Sequence, residues 1–393
     1  MIRASNAIRP AATAIVALGL ACLGCRPAPP SISADVMAMM AGGDDAGFAR
    51  VTAPEPLAFP ASEGPHPTYR TEWWYYTGNL RATEPRAGGR RFGFQLTFFR
   101  SALTPASDVD ARDSLWGTNQ AYLAHFAVTD VEAGAFHSAE RLARGAAGLA
   151  GATADPFRAW LETWSASRIG GPDQPVRLVA ADGPVAIDLT LRPTKPPVGH
   201  GDAGYSVKGP EPGNASMYFS YSRLAATGTV TTADGAFAVE GGAWHDHEWS
   251  TSALSAGQVG WDWFSLQLDD GRDLMVFRIR EADGGIAPTS SGSQIAADGT
   301  VRHLTVDDFT LDPRGRWTSP RTGGEYPAAW RIDIPSADLE LDVQPLVADQ
   351  ELSTAFRYWE GAVAVEGSSA GRPIGGEGYL EMTGYVPTGE GRR

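Results

Sequence analysis

Apolar and polar residues alternate with a period of two along most of this chain. Phe92, Leu96 and Phe98 alternate with Gly93, Gln95 and Thr97, and Tyr122, Phe126 and Val128 with Leu123, His125 and Ala127. Val185, Ile187, Leu189 and Leu191 against Ala186, Asp188, Thr190 and Arg192 give the cleanest half-buried strand pattern. Met217, Phe219 and Tyr221 continue it, as do Leu339, Leu341 and Val343 against Glu340, Asp342 and Gln344. No segment carries the 3.6-residue period and caps of a long amphipathic helix. Short strands punctuated by Gly, Asp and Pro predict an all-β protein of antiparallel barrels or sandwiches. A faint symmetry links Trp73-Trp74-Tyr75-Tyr76 with Trp261-Asp262-Trp263-Phe264, so two domains are expected, over 67–253 and 254–388.

The first 66 residues lack this period. Arg3 and Arg9 precede an apolar stretch, Ala11 to Gly24, that is too short to cross a bilayer as a mature helix. The expectation is a signal peptide over 1–25, with Leu23-Gly24-Cys25 as a lipobox that would lipidate Cys25. Cys22 occupies a position where a lipobox prefers an aliphatic residue. Residues 26–66, opened by Arg26-Pro27-Ala28-Pro29-Pro30 and closed by several prolines, read as a flexible tether. The predicted location is therefore the periplasm, on a membrane lipid anchor, with a plain secreted product as the alternative if Cys25 is not lipidated.

Composition narrows the function. Of 393 residues, 12 are Trp and 46 are Gly, a pairing that suits twisted strands with tight turns. A formal net charge of −14 and the lack of any long basic run argue against nucleic-acid binding. Both cysteines, Cys22 and Cys25, fall in the leader, so the body can hold neither a disulfide nor a catalytic thiol. No Gly-x-Ser-x-Gly elbow or Walker loop is present, and His247-Glu248 lacks the second histidine of a zincin because Thr251 stands there.

The chemistry that remains is concentrated in Gly241-Gly242-Ala243-Trp244-His245-Asp246-His247-Glu248-Trp249-Ser250. On a strand, His245, His247 and Trp249 would share one face and Trp244, Asp246 and Glu248 the other. Such a polar group cannot enter an apolar core without partners. It reads as an acid/base cluster at a barrel mouth, as a hydrogen-bonded plug between barrels, or as a metal site using His-x-His. Trp261 and Trp263 would share a face, with Asp262 reversed, to shield a cation or to fill a core. Glu72, beside Trp73 and Trp74, is expected to have a raised pKa against aromatic rings, or to pair with Arg70 or Arg100. The segment Gly199-His200-Gly201-Asp202-Ala203-Gly204-Tyr205 reads as a loop whose His200 and Tyr205 could line an entrance. His66, His125, His137 and His303 read as isolated surface or satisfied strand residues.

These motifs together resemble one family. Glu72-Trp73-Trp74-Tyr75-Tyr76-Thr77-Gly78, Tyr205-Ser206, Trp244 to Trp249 and Gly260-Trp261-Asp262-Trp263 look like the carotenoid 1,2-hydratase (hydroxyneurosporene synthase) group. Tyr358-Trp359-Glu360-Gly361 and Gly378 to Tyr385 look more like its secreted, AttH-like, lipocalin-like branch of "predicted hydrolases". The resemblance covers roughly residues 66 to 386 and implies two consecutive lipocalin-like barrels. For the hydratases it implies cofactor-free addition of water to a terminal isoprenoid double bond: a carboxylic acid protonates the alkene and aromatic rings shield the cation. His247 and Trp249 match the second histidine and the tryptophan of that family's motif. The strand after Trp-Asp-Trp, Leu274 to Arg280, carries no acid where hydratases have one, so Asp246, Glu248 or Asp262 would have to supply the proton.

Two functions follow as expectations. One is a hydratase or hydrolase on an apolar isoprenoid or lipid, without cofactor or metal. Its acid would be Asp246 or Asp262, oriented by His245 and His247 with Glu248 nearby. Trp249, Trp261, Trp263, Trp74, Tyr76, Tyr205 and Glu72 would then contact the ligand. The alternative is a tethered, non-catalytic carrier that exchanges an apolar molecule with an ABC-type transporter permease.

Overall fold

The computed structural model describes Met1 and residues 45–386, apart from 86–87, 106–115, 172–173, 252–253 and 356. Cys25, the leader and the first part of the expected tether lie outside the described residues. Among the described residues the regular structure is β apart from short 3-10 turns, in two curled, barrel-like antiparallel sheets. Thirteen strands between Thr71 and Ser250 form the first sheet, and nine of those between Gln258 and Met382 form the second.

Where one face is open to solvent, the alternation reads cleanly. Val185, Ile187, Leu189 and Leu191 are buried between more exposed neighbours, and Leu339, Leu341 and Val343 repeat the pattern. Each sheet curls around its own apolar core. Trp74, Tyr76, Phe92, Phe94, Phe98 and Trp164 contribute to the first, and Phe264, Trp330, Ile332 and Trp359 to the second.

The central strands break the alternation because both of their faces are covered. Residues Ala243 to Ser250 are all buried, and so are Phe92 to Phe98. Their outer faces meet the second sheet through Tyr75, Tyr218, Trp244, Trp263, Met275, Phe277 and Tyr379. Polar residues on those outer positions, such as Gln95 and Thr97, are thereby removed from water.

The expected tether 26–66 requires correction where it is described. From Asp45 onward the chain is folded against the first sheet. Val51 is fully buried among Ala215, Met217, Phe219 and Trp249, and Asp45 pairs with both Arg50 and Arg70. Ala61–Glu63 form a 3-10 turn whose Glu63 carbonyl accepts the Trp74 indole N–H at 2.9 Å. Prolines fix φ, but they do not stop Val51 and Leu57 from burying apolar surface.

Candidate active site

Strand pairing places the chemical residues in rows across the two sheets. On the outer face of the first sheet, Phe99, Trp73, Glu248 and Tyr218 lie side by side, and Tyr75, Asp246 and Ser220 form the next row. On the facing wall Phe277, Trp263, Glu381 and Glu360 occupy one row across four strands. Between the walls is a cavity of about 100 Å³, lined by these aromatics with Lys208, Trp261 and Tyr358.

Four carboxyls belong to this region, and their surroundings differ. Asp246 accepts hydrogen bonds from Tyr218 Oη at 2.8 Å and Trp244 Nε1 at 2.5 Å, and a third from the Ser220 hydroxyl. Burial nevertheless pushes its pKa up to about 7, against the pull of those donors. Glu248 accepts from the Ser216 hydroxyl and faces the Lys208 ammonium at 3.2 Å. The Lys208 cation also sits over the rings of Tyr218 and Phe277, at 5.2 and 4.4 Å.

In the second-sheet pair Glu360 is buried and Glu381 half-buried. Neither oxygen of Glu360 has a hydrogen-bond partner, and burial pushes that carboxyl up to about 8 although the Tyr75 and Tyr358 phenols face it. Glu381 is its cross-strand neighbour and opens into the cavity. Burial, then the adjacent Glu360, holds the Glu381 carboxyl well above the usual carboxylate range, against a hydrogen bond from Trp261 Nε1 at 3.0 Å. Glu381 is thus a carboxyl whose surroundings favour its protonated form, beside three indoles, Trp73, Trp261 and Trp263.

The structure separates residues that the sequence suggested would act together. His245, His247 and Trp249 point to the first sheet's interior, away from Asp246, as strand alternation requires. His245 stacks on Tyr76 at 4.1 Å and its Nδ1 is 3.1 Å from the Tyr75 carbonyl. Neither histidine can orient Asp246. Burial lowers the pKa of His245 to about 3 and that of His247 to about 4, so both imidazoles are neutral.

Glu72, Trp74 and Tyr76 share that interior face, and the alternate residues Trp73 and Tyr75 line the cavity instead. Glu72 binds Arg100 Nε at 2.7 Å, His247 Nε2 at 2.9 Å and His66 Nδ1 at 2.8 Å. Its pKa is held far below the usual range, because these partners, Arg100 first, outweigh the burial that would raise it. The expected rise therefore gives way to the Arg100 pairing.

His66, Glu72 and His247 are grouped closely enough to hold a metal ion, but the carboxylate is already taken by Arg100 and the two imidazoles. His245 and His247 do not converge as a His-x-His pair, their ring centroids being 6.5 Å apart.

Two further expectations are corrected. Asp262 is fully buried and turned away from the cavity, bound by Arg278 Nε at 2.7 Å and Tyr385 Oη at 2.9 Å, so it closes an ion pair and cannot act as the acid. Tyr205 packs with Met217 and Val51, and His200 is buried between Ser220 and Ser293, so that loop lines no entrance to this cavity. Conversely, sequence reading passed over Glu381, Glu360 and Tyr358. Their signal lay in Tyr358-Trp359-Glu360 and Tyr379-Leu380-Glu381, acids flanked by aromatics on strands that both read as buried.

A two-sheet β-protein with carboxyls in an aromatic cleft defines the class, and comparison supplies the family. The AttH-like family matches residues 50–385, and the chain belongs to it. The crystal structure of a protein assigned as AttH from Nitrosomonas europaea is 33% identical, covers 86% of this chain and 100% of its own, and superposes with a TM-score of 0.75. Kievitone hydratase from Nectria haematococca shares the fold at 14% identity and a TM-score of 0.65, over 88% of this chain and 98% of its own. Dehydratase AsqC of Emericella nidulans is 24% identical over 221 residues, which are 53% of this chain and 60% of that protein's length.

Proposed function

We propose that this protein is a hydro-lyase that adds water to, or removes it from, an apolar substrate held between its two sheets. The observation that carries the reading is Glu381, a carboxyl that opens into a cavity walled by indole rings, where its surroundings favour the protonated form. In the hydration direction its proton forms a C–H bond with an alkene carbon, leaving a cation on the neighbouring carbon. The faces of Trp73, Trp261 and Trp263 stabilise that cation through their quadrupoles. Water then bonds to the cation and gives up a proton. Asp246 and Glu248, each held by hydrogen-bond donors, place acceptor oxygens along the opposite wall. The names hydratase and dehydratase carried by two relatives support the same reaction type.

The test is turnover of acyclic carotenoids and other apolar alkenes by the purified protein. Glu381→Gln should lower turnover by about 10²–10⁴-fold, the usual contribution of a general acid. Full activity in that variant would remove the assignment. Substrates that co-purify and bind without turnover would instead identify an apolar-ligand carrier. We further propose that the chain is exported and lipid-anchored through Cys25. Labelling with a fatty-acid probe in cells, lost in Cys25→Ala, checks this.

A further inference from the structure

Adding water requires a base as well as an acid, and a cavity of about 100 Å³ walled by aromatics has room for few water molecules to take the proton. Three side chains make an unbroken path outward from its wall. Tyr358 lines the cavity. Its Oη lies 2.7 Å from His125 Nδ1, and His125 Nε2 lies 3.0 Å from Glu140 Oε2. His125 is fully buried, whereas the Glu140 side chain is 21% exposed. In the strand register Glu140, His125, Thr97, Tyr75 and Asp246 fall in a single row, so the path shares the face that forms the cavity wall.

The outer end sets the polarity of this path. With the Glu140 oxygen as acceptor, His125 Nε2 carries the hydrogen and donates to it. A neutral imidazole then has a bare Nδ1, which accepts the Tyr358 hydroxyl. The other Glu140 oxygen accepts the Ala355 backbone N–H at 3.4 Å, which orients the carboxylate.

We propose that Tyr358, His125 and Glu140 form the proton-exit arm of this cavity, with Tyr358 as the base that meets the reacting water. The proposal rests on the hydro-lyase reading for its purpose. As the water oxygen bonds to the carbocation, one of its O–H bonds breaks and that proton passes to Tyr358 Oη. The Tyr358 hydroxyl proton moves to His125 Nδ1 in the same step. The products are a neutral alcohol, a neutral phenol, the Glu381 carboxylate and an imidazolium facing the Glu140 carboxylate. The cycle closes when His125 loses its proton to solvent through Glu140 and Glu381 regains one. His125 and Glu140 are positioning residues, since neither touches the cavity.

A merely structural strap between the sheets would serve with either tautomer of His125, and the relay would not. Nitrogen-15 NMR of the imidazoles in the full chain decides between them without any substrate. The expected result is the Nε2–H tautomer for His125, shifting toward Nδ1–H in Glu140→Gln, whose amide can donate to Nε2. An Nδ1–H tautomer in the unsubstituted protein would overturn the relay, whatever its activity. On an alkene that the protein hydrates, Glu140→Gln should lower kcat about tenfold or more with KM unchanged, and should enlarge the solvent isotope effect. Unchanged kcat would also overturn the relay. Failure to hydrate any alkene would overturn the hydro-lyase reading while leaving the tautomer to decide the relay.

Discussion

Glu360 and Glu381 show how one residue sets the chemistry of its neighbour. They are cross-strand partners, so two negative charges there would repel across a short gap. Each therefore resists ionisation. The folded-state pKa of Glu360, about 8, lies above its ordinary value of 4.5, so this group weakens the fold as pH rises between those values. Glu360→Gln fixes the neutral form. Relative to the unsubstituted protein, it should match in stability near pH 4 and become the more stable of the two by pH 8, as read by denaturant melts. The substitution also removes the charge that helps to hold the Glu381 carboxyl up. The alkaline limb of the activity profile should then move to lower pH. An unmoved limb would mean that burial alone holds Glu381.

The interior histidines act with the opposite sign. His245 has its pKa lowered from 6.5 to about 3, so stability that is present above 6.5 drains away as the solution is acidified toward 3. The fold is thus bounded by the first sheet's imidazoles on the acid side and by the cavity carboxyls on the alkaline side.

At the level of the strand, what sequence reveals depends on how many faces are covered. Val185 to Leu191 was legible because solvent keeps one face polar. For Trp73 to Tyr76 both faces are apolar, and alternation alone cannot say which pair looks into the cavity. Trp74 and Tyr76 were chosen as ligand contacts, and Trp73 and Tyr75 occupy that place. The split of His245, His247 and Trp249 from Asp246 and Glu248 was legible, since it needs only a period of two. That the two groups face different compartments was not, because it depends on how a second sheet, built from strands between Gln258 and Met382, packs against the first.

Gly93 marks the same contact from the other side. It sits on a central strand of the first sheet where a Cβ would come within 2.6 Å of the Ala362 Cβ on the second. Ala362 has no rotamer by which to yield. Gly93→Ala should therefore cost about 1–3 kcal/mol, as overpacking of a tight contact does, and chemical denaturation measures it directly. A neutral effect would show that the sheets separate easily.

Taken whole, the molecule depends on how firmly its sheets are joined, because the candidate site has one wall on each. Asp273, fully buried in the second sheet, receives Lys195 Nζ at 2.7 Å, Ser222 Oγ at 2.8 Å and Arg223 Nε at 2.9 Å from the first-sheet segment. Lys195 also donates to the carbonyls of Gly271 at 2.6 Å and Ala296 at 3.0 Å. The joint is hydrogen-bonded at every donor named, so removing its one anion strands the buried Lys195 cation and leaves the half-buried Arg223 without its partner. Asp273→Asn should cost about 3–5 kcal/mol, the range for breaking a buried pair. Its consequence for cooperativity is the sharper test. With the sheets sharing an apolar contact that includes Trp244, Trp263 and Phe277, the intact protein should unfold in one calorimetric transition. Asp273→Asn weakens the joint without touching either sheet's own core, so it should lower that transition or divide it into two. Two transitions in the unsubstituted protein would mean that each sheet folds alone, and that the cavity between them opens at little cost.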